Sequence, residues 1–250
     1  MALETVEGIV IRGIDYGETH KILTIYTYKY GKFSCMIRGV KKPQSRLAAL
    51  SHLFTRANFL IALGRQGMGR IEQGEVLQSY RNIREDLVST AYATYIVELL
   101  NRCVEEREPS ESIYRFLQGS LQQLADGQDA EIICRIFEMK ALQLLGVRPI
   151  LDVCVNCRQA VHPFQHFHFA EGGVICPVCA GFTKHVRSIH KETWKLLIVF
   201  QTIPIDRLRT VAIRSEIKQE LRFILWYFLD HFAGVTLKSR HFLEQIERLL

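Results

Sequence analysis

Residues 5–46, TVEGIVIRGIDYGETHKILTIYTYKYGKFSCMIRGVKKPQSR, decide how the N-terminal part of the chain is read. Three runs inside this stretch, TVEGIVIR (5–12), KILTIYTY (21–28) and GKFSCMIRGV (31–40), are rich in β-branched and aromatic residues and partly alternate. Such side chains keep few rotamers and pack well on a pleated, half-buried surface, so each run predicts a strand. The Tyr30–Gly31 turn separates the last two, and RANFLIALG (56–64) and GRIEQGEVLQ (69–78) add two more. Five short strands in about 80 residues fit a closed OB-type barrel better than an open sheet, whose edges would need cover. Gly8, Gly39 and Gly74 inside or beside these strands are the expected bulges. The stretch GRQGMGR (64–70) lacks the GK[ST] ending of a phosphate-binding loop and reads as a hairpin loop.

From about residue 84 the period changes. Leu87, Ala91, Tyr95, Leu99 and Cys103 recur every four residues, as on one face of a helix. EREPSES (106–112) then interrupts: Pro109 and Ser110 stop one helix, and Ser110 or Ser112 can cap the next. Helices are predicted over 112–125, 130–145, 188–201 and 213–232, with a short one in SRHFLEQIERLL (239–250). Gly146 followed by Pro149 stops the second of these. The predicted fold is therefore α+β. An N-terminal five-stranded OB-type β barrel (1–80) is followed by an all-α helical domain (81–149 and 184–250). A four-cysteine module (150–183) is inserted in that domain, and the helices flanking it are expected to pack together.

Four of the seven cysteines are paired in sequence, in CVNC (154–157) and CPVC (176–179) with 18 residues between the pairs. A two-residue gap lets both thiolates of one turn reach a single ion at about 2.3 Å, and a second such turn completes a tetrahedron. Cys154, Cys157, Cys176 and Cys179 thus predict one structural zinc ion, with a redox pair or an iron–sulfur cluster as the alternatives. Four protein ligands close the shell, so chemistry at the ion is not expected. The intervening RQAVHPFQHFHFAEGGVI (158–175) reads as a small hairpin that turns at Gly172–Gly173. His162, His166 and His168 are read there as exposed strand residues rather than ligands. Cys35, Cys103 and Cys134 lie in apolar runs and read as small buried hydrophobes.

At 48% hydrophobic and 23% charged residues, the 250-residue chain has the composition of an ordinary globular protein. Its N-terminus lacks the pattern of a signal peptide and no apolar run approaches about 20 residues, so the expected compartment is the cytoplasm, with no membrane partner. The formal net charge of +6 suggests a polyanionic partner. That charge is concentrated in RGVKKPQSR (38–46), where four of nine positions are basic and none is acidic. Pro43 prevents regular strand continuation, so Arg38, Lys41, Lys42 and Arg46 are predicted on a loop leaving a strand. Arg12, Lys21, Lys29 and Lys32 fall in the same barrel, interleaved with Tyr16, Tyr26, Tyr28, Tyr30 and Phe33. Cations that track phosphates and rings that stack bases are what a single-strand site requires, although half of these rings must point into the core. The expected DNA contacts are Arg12, Lys21, Lys32, Arg38, Lys41, Lys42 and Arg46. No catalytic constellation is visible.

The order EGIVIRGIDYGETHKILTIYTYKYGKFSCMIRGVKKPQSRL (7–47), GVRPILDVCVNC (146–157), GGVICPVC (172–179) and LKSRHFLEQI (237–246) resembles the bacterial recombination mediator family RecO. The resemblance covers nearly the whole chain. It implies a non-enzymatic role in DNA repair, nucleoid-associated in a bacterial cytoplasm. It further implies binding of single- and double-stranded DNA, annealing of complementary strands and engagement of the C-terminal tail of the single-strand-binding protein SSB. With RecR, such a protein would assist loading of the recombinase RecA. The alternative readings are a zinc-ribbon nucleic-acid-modifying enzyme and an adaptor that contacts only proteins.

Overall fold

The computed structural model describes residues 2–63, 68–160, 164–208 and 212–247. The strands are β1 (Ala2–Tyr16), β2 (His20–Thr27), β3 (Gly31–Ile37), β4 (Arg56–Leu63), β5 (Gly69–Gln78), β6 (His166–His168), β7 (Gly173–Ile175) and β8 (Val186–Ser188). The helices are α1 (Arg81–Glu85), α2 (Leu87–Cys103), α3 (Glu111–Ala125), α4 (Ala130–Leu144), α5 (Pro177–Ala180), α6 (Lys191–Thr202), α7 (Ser215–His231) and α8 (Ser239–Glu247). Two compact units result: one from residues 1–127 and 237–250, the other from 128–236.

In the first unit the five predicted strands close into a barrel of order β1-β2-β3-β5-β4. All pairs are antiparallel except β3 with β5. Closure depends on the length of β1. Its first half, Ala2–Ile9, pairs with β4, and its second, Gly8–Tyr16, pairs with β2. Alternation then does what the sequence implied: Phe33, Cys35 and Ile37 of β3 point inward and join Val10, Leu23, Ile25, Phe59 and Ile71 in the core.

The glycines serve a different purpose from the one expected. Register shifts occur between Val10 and Arg12, between Leu60 and Ile61, and between Arg56 and Ala57, whereas Gly8 and Gly74 sit in regular pairs. A Cβ on Gly8 would lie 2.8 Å from Thr27 Cγ2, and one on Gly74 2.8 Å from the Asn58 carbonyl oxygen and 2.9 Å from Leu50 Cδ1. These positions are glycine because neighbouring atoms need the space.

Gly31 carries a sharper demand. Its φ is +63°, and a Cβ there would lie 2.2 Å from the Glu108 carbonyl oxygen. The chain after α2 docks here, with the Arg107 amide donating to the Lys32 carbonyl at 2.9 Å. Gly31→Ala is expected to cost about 1–2 kcal/mol from the left-handed backbone alone, with the clash adding to it. Chemical unfolding of the full chain reads this as a lower midpoint, and a midpoint equal to the parent's would contradict the packing.

Helix starts follow local chemistry. The side chains of Asp86, Ser110 and Asp129 accept from Ser89, Ile113 and Ile132 amides and cap α2, α3 and α4. α8 returns to α2, where the Glu98 carboxylate accepts from the backbone amides of Lys238 (3.1 Å) and Ser239 (2.8 Å).

In the second unit α4, α6 and α7 pack on one another, as expected for helices flanking the cysteine module. Arg135 and Glu138 of α4 form a fully buried ion pair at 2.9 Å, and Trp226 Nε1 donates to Glu138 Oε1 at 2.8 Å. Charges persist in a core only when paired and hydrogen-bonded in this way. Val186–Ser188, which reaches one residue into the predicted 188–201 helix, pairs with β6 to give a sheet of order β7-β6-β8. Helix α6 starts only at Lys191.

Candidate metal centre and nucleic-acid interface

The two cysteine pairs meet. Single-atom ligands from Cys154, Cys157, Cys176 and Cys179 all lie within 4.8 Å of one another. Cys157 and Cys176 sulfurs are 3.9 Å apart, far beyond a disulfide bond, and all seven cysteines are free. A tetrahedron with metal–sulfur bonds of about 2.3 Å has edges of about 3.8 Å, so the donor set and its spacing fit one four-coordinate ion. Among the described residues no histidine joins the group. His166 contacts Ser188 Oγ at 3.4 Å. His168 is buried rather than exposed, and its Nδ1 accepts from the Glu171 amide. His162 lies outside the described residues.

Local folding brings the thiols together. After Cys154 the chain turns through Arg158 (φ +63°), whose amide donates to the Cys154 carbonyl, while the Cys154 amide donates to the Gln159 carbonyl. The second pair opens the one-turn helix α5 with Pro177 at its first position, where a missing N–H costs nothing. The two turns are joined through β7. The Val174 amide donates to the Ile150 carbonyl and its carbonyl accepts from the Val155 amide, and a Cβ on Gly173 would lie 2.5 Å from the Ile150 carbonyl oxygen. Trp194 Nε1 donates to the Leu151 carbonyl at 2.9 Å and fixes the approach to the first pair. Aromatic contacts anchor the module: Phe164 meets Trp194, Phe167 meets Phe228, and Phe169 meets Phe223 and Tyr227.

Electrostatics sets two of the thiols apart. Burial pushes the Cys154 thiol up, but amides of Cys157, Cys176 and Asn156 outweigh it and draw the thiol down to about 6. Asn156 draws Cys179 down, yet the crowding thiols of Cys176, Cys157 and Cys154 push it up to about 12. Four sulfurs this close ionise together only around a cation.

The predicted basic residues divide into groups. Arg38, Lys41, Lys42 and Arg46 are exposed on the loop leaving β3. That loop is anchored to the β1–β2 turn: the Lys41 amide donates to the Thr19 carbonyl (3.1 Å) and the Gly39 amide to His20 Nδ1 (2.9 Å). Lys21, on β2 beside Ile37, faces the same end of the barrel. Asp15 sits among them, paired with Lys41 at 2.7 Å, and that hydrogen bond holds its carboxyl below the usual range. Lys32 is placed apart, its ammonium donating to the Asn101 carbonyl at 2.7 Å. Lys29 pairs with Glu4. Arg12 is exposed and turned toward α2 and α8. Of the interleaved rings, Tyr26 and Phe33 are core, whereas Tyr16 and Tyr28 are each 51% exposed. Exposed cations and rings can neutralise phosphates and stack bases without reading sequence.

Sequence reasoning missed Arg102 and Lys238, which join Arg12 around one groove from distant segments. No local pattern marks them. It also missed Phe182, which is 91% exposed just after the second cysteine pair.

Residues 1–80 match the family model described as Recombination protein O N terminal, and residues 84–241 match Recombination protein O C terminal. The chain belongs to the RecO family. It is 40% identical over 245 residues, 98% of each chain, to the DNA repair protein RecO of Bacillus mycoides (strain KBAB4). The same identity and coverage hold for the DNA repair protein RecO of Bacillus cytotoxicus and of Bacillus cereus (strain AH187). RecO membership makes this a DNA-repair recombination protein rather than an enzyme. Among the described residues no helix is long and apolar enough to cross a membrane.

Proposed function

We propose that this chain is a recombination mediator that binds single- and double-stranded DNA through residues 1–80 and anneals complementary strands. In this reading it also engages the SSB C-terminal tail and, with RecR, assists RecA loading. One observation carries the reading: a one-signed loop, Arg38–Arg46, held rigidly on a closed OB-type barrel and open to solvent. Annealing requires two strands that repel each other to be held close, and a cationic surface lowers that repulsion by displacing counterions. Lys21 extends the face. Lys32 contributes by fixing β3 to Asn101, and its charge lies next to the same strand.

Cys154, Cys157, Cys176 and Cys179 would hold one zinc ion. Such an ion supplies no reaction here; it ties the two turns of the module together. For the SSB tail, a cleft of about 450 Å³ in the second unit has suitable chemistry. Phe169, Phe223 and Ile224 give it an apolar wall and Arg187 and Arg222 flank it; of its two acids, Glu216 and Glu220, the latter is engaged by the His190 amide. An acidic peptide with an apolar end needs this combination.

The test is annealing of two complementary labelled oligonucleotides coated with SSB, followed by energy transfer. The full chain is expected to accelerate annealing, and Arg222→Gln is expected to slow it only when SSB carries its tail. Annealing no faster than the spontaneous rate would refute the reading.

A further inference from the structure

We propose that the groove between the second half of β1, α2 and α8 is a second nucleic-acid subsite, which takes one unpaired nucleotide of a single strand arriving from the 38–46 loop. The inference rests on the DNA-binding reading above and extends it from the barrel to helices that the barrel alone does not include.

The groove encloses about 580 Å³, enough for a base and its sugar. Arg12, Arg102 and Lys238 line it, all are exposed, and none forms an ion pair among the described residues. The register shift between Val10 and Arg12 is what re-aims β1 at this point. Glu98 is the groove's acid, but its carboxylate already accepts from the Lys238 and Ser239 amides at 3.1 and 2.8 Å. Burial pushes the Glu98 carboxyl up, and those bonds with the nearby Arg102 outweigh it, so the acid spends its charge on holding α8. Three cations therefore face the opening against one committed anion. Between them lie Leu53, the buried Val97 and Phe242, the last 36% exposed. Phosphates on the cations and a base against the apolar wall is the pattern of single-strand sites.

The groove and the loop are linked through β1 and β2: Lys21 pairs with Asp15, three residues from Arg12, and with Ile37, where the loop begins. Lys21 acts on Asp15 together with Lys41. His52 is lowered by burial and then by the charges of Arg84 and Lys21. Arg84 Nη1 donates to the carbonyl of Leu53, which lines the groove. Basic groups therefore run from the loop through Lys21 toward Arg12, three residues along β1 from Asp15, and Asp15, paired with Lys41, is the acid on that path. A paired base cannot enter such a cleft, so the subsite selects unpaired strands.

The experiment compares the full chain with R102Q/K238Q, both exposed positions, by anisotropy of labelled oligo-dT and of a duplex over 50–200 mM salt. Loss of two phosphate contacts is expected to reduce the single-strand log–log salt slope by about 1.4, with the duplex slope nearly unchanged. In a Phe242→Trp variant, oligo-dT is expected to quench the added emission. Unchanged single-strand slope and unquenched emission would overturn the subsite, as would equal losses on single strand and duplex. A loss confined to an acidic peptide probe would also overturn it. The loop variant R38Q/K41Q/K42Q/R46Q separates the two claims. If it loses single-strand affinity while R102Q/K238Q keeps the parental slope, the groove fails alone; if both keep it, the DNA-binding reading fails as well.

Discussion

Stripping the metal, or replacing Cys176 by serine, is expected to melt the segment around β6, β7 and β8 while the barrel stays folded. Cys176 is embedded in the arrangement: it is buried, its sulfur is 3.9 Å from Cys157, and its amide donates to Cys154 Sγ at 3.4 Å. The module has little else to hold it. Its strands are three residues each, too short to be stable as an isolated sheet. Metal binding at four-thiolate sites is worth about 10–16 kcal/mol apparent, which is folding energy because the site does not preexist in the unfolded chain. No ligand lies in the barrel, so its strands keep their own core. Metal release by a chromophoric chelator should give about one zinc per chain, and hydrogen exchange at the Phe167 and Val174 amides should rise steeply on release. Barrel thiols provide the control. Burial pushes Cys35 up to about 12, so it should resist alkylation at neutral pH with or without metal. Protein that holds no metal, or that keeps its exchange protection after chelation, would contradict the assignment.

Neutralising the loop as R38Q/K41Q/K42Q/R46Q is expected to have the largest effect on DNA. Each single-strand phosphate contact contributes about 0.7 to the log–log salt slope, so four contacts remove up to about 2.8. Over a fourfold salt range that is roughly a 50-fold change in the spread of affinities. Lys41 lowers this ceiling, since it already has Asp15 as a partner, although an exposed pair of this kind is worth only about 0–1 kcal/mol and yields readily to a phosphate. Folding should be unaffected, because all four side chains are exposed and the loop's anchoring bonds come from backbone groups. An unchanged slope in a folded variant would remove this loop from the interface.

The barrel was legible because β-strand chemistry is local. The alternation that puts Phe33, Cys35 and Ile37 inward is written in consecutive residues, and so is the turn that ends β3. The metal site was legible for the same reason, since each pair is a four-residue turn and the hairpin that joins them is contiguous. Bulge positions were not, because Gly8 and Gly74 are glycine on account of Thr27, Asn58 and Leu50, which approach from other strands. Strand β8 was hidden as well. Val186–Ser188 is extended only because β6 offers its edge, and three residues carry no period of their own. The interface was half visible. A one-signed run such as 38–46 announces itself, whereas the engagement of Lys32 by Asn101 is a long-range fact, as is the grouping of Arg12 with Arg102 and Lys238.

The most direct test of the central claim is the salt dependence of single-strand binding by the unmodified full chain, measured on oligo-dT and on a mixed sequence of equal length. The account predicts linear log–log plots of slope at least about 2 in magnitude, matching three or more phosphate contacts, and near-equal affinity for the two sequences. A flat salt dependence, or no binding to bare single strand, would contradict it.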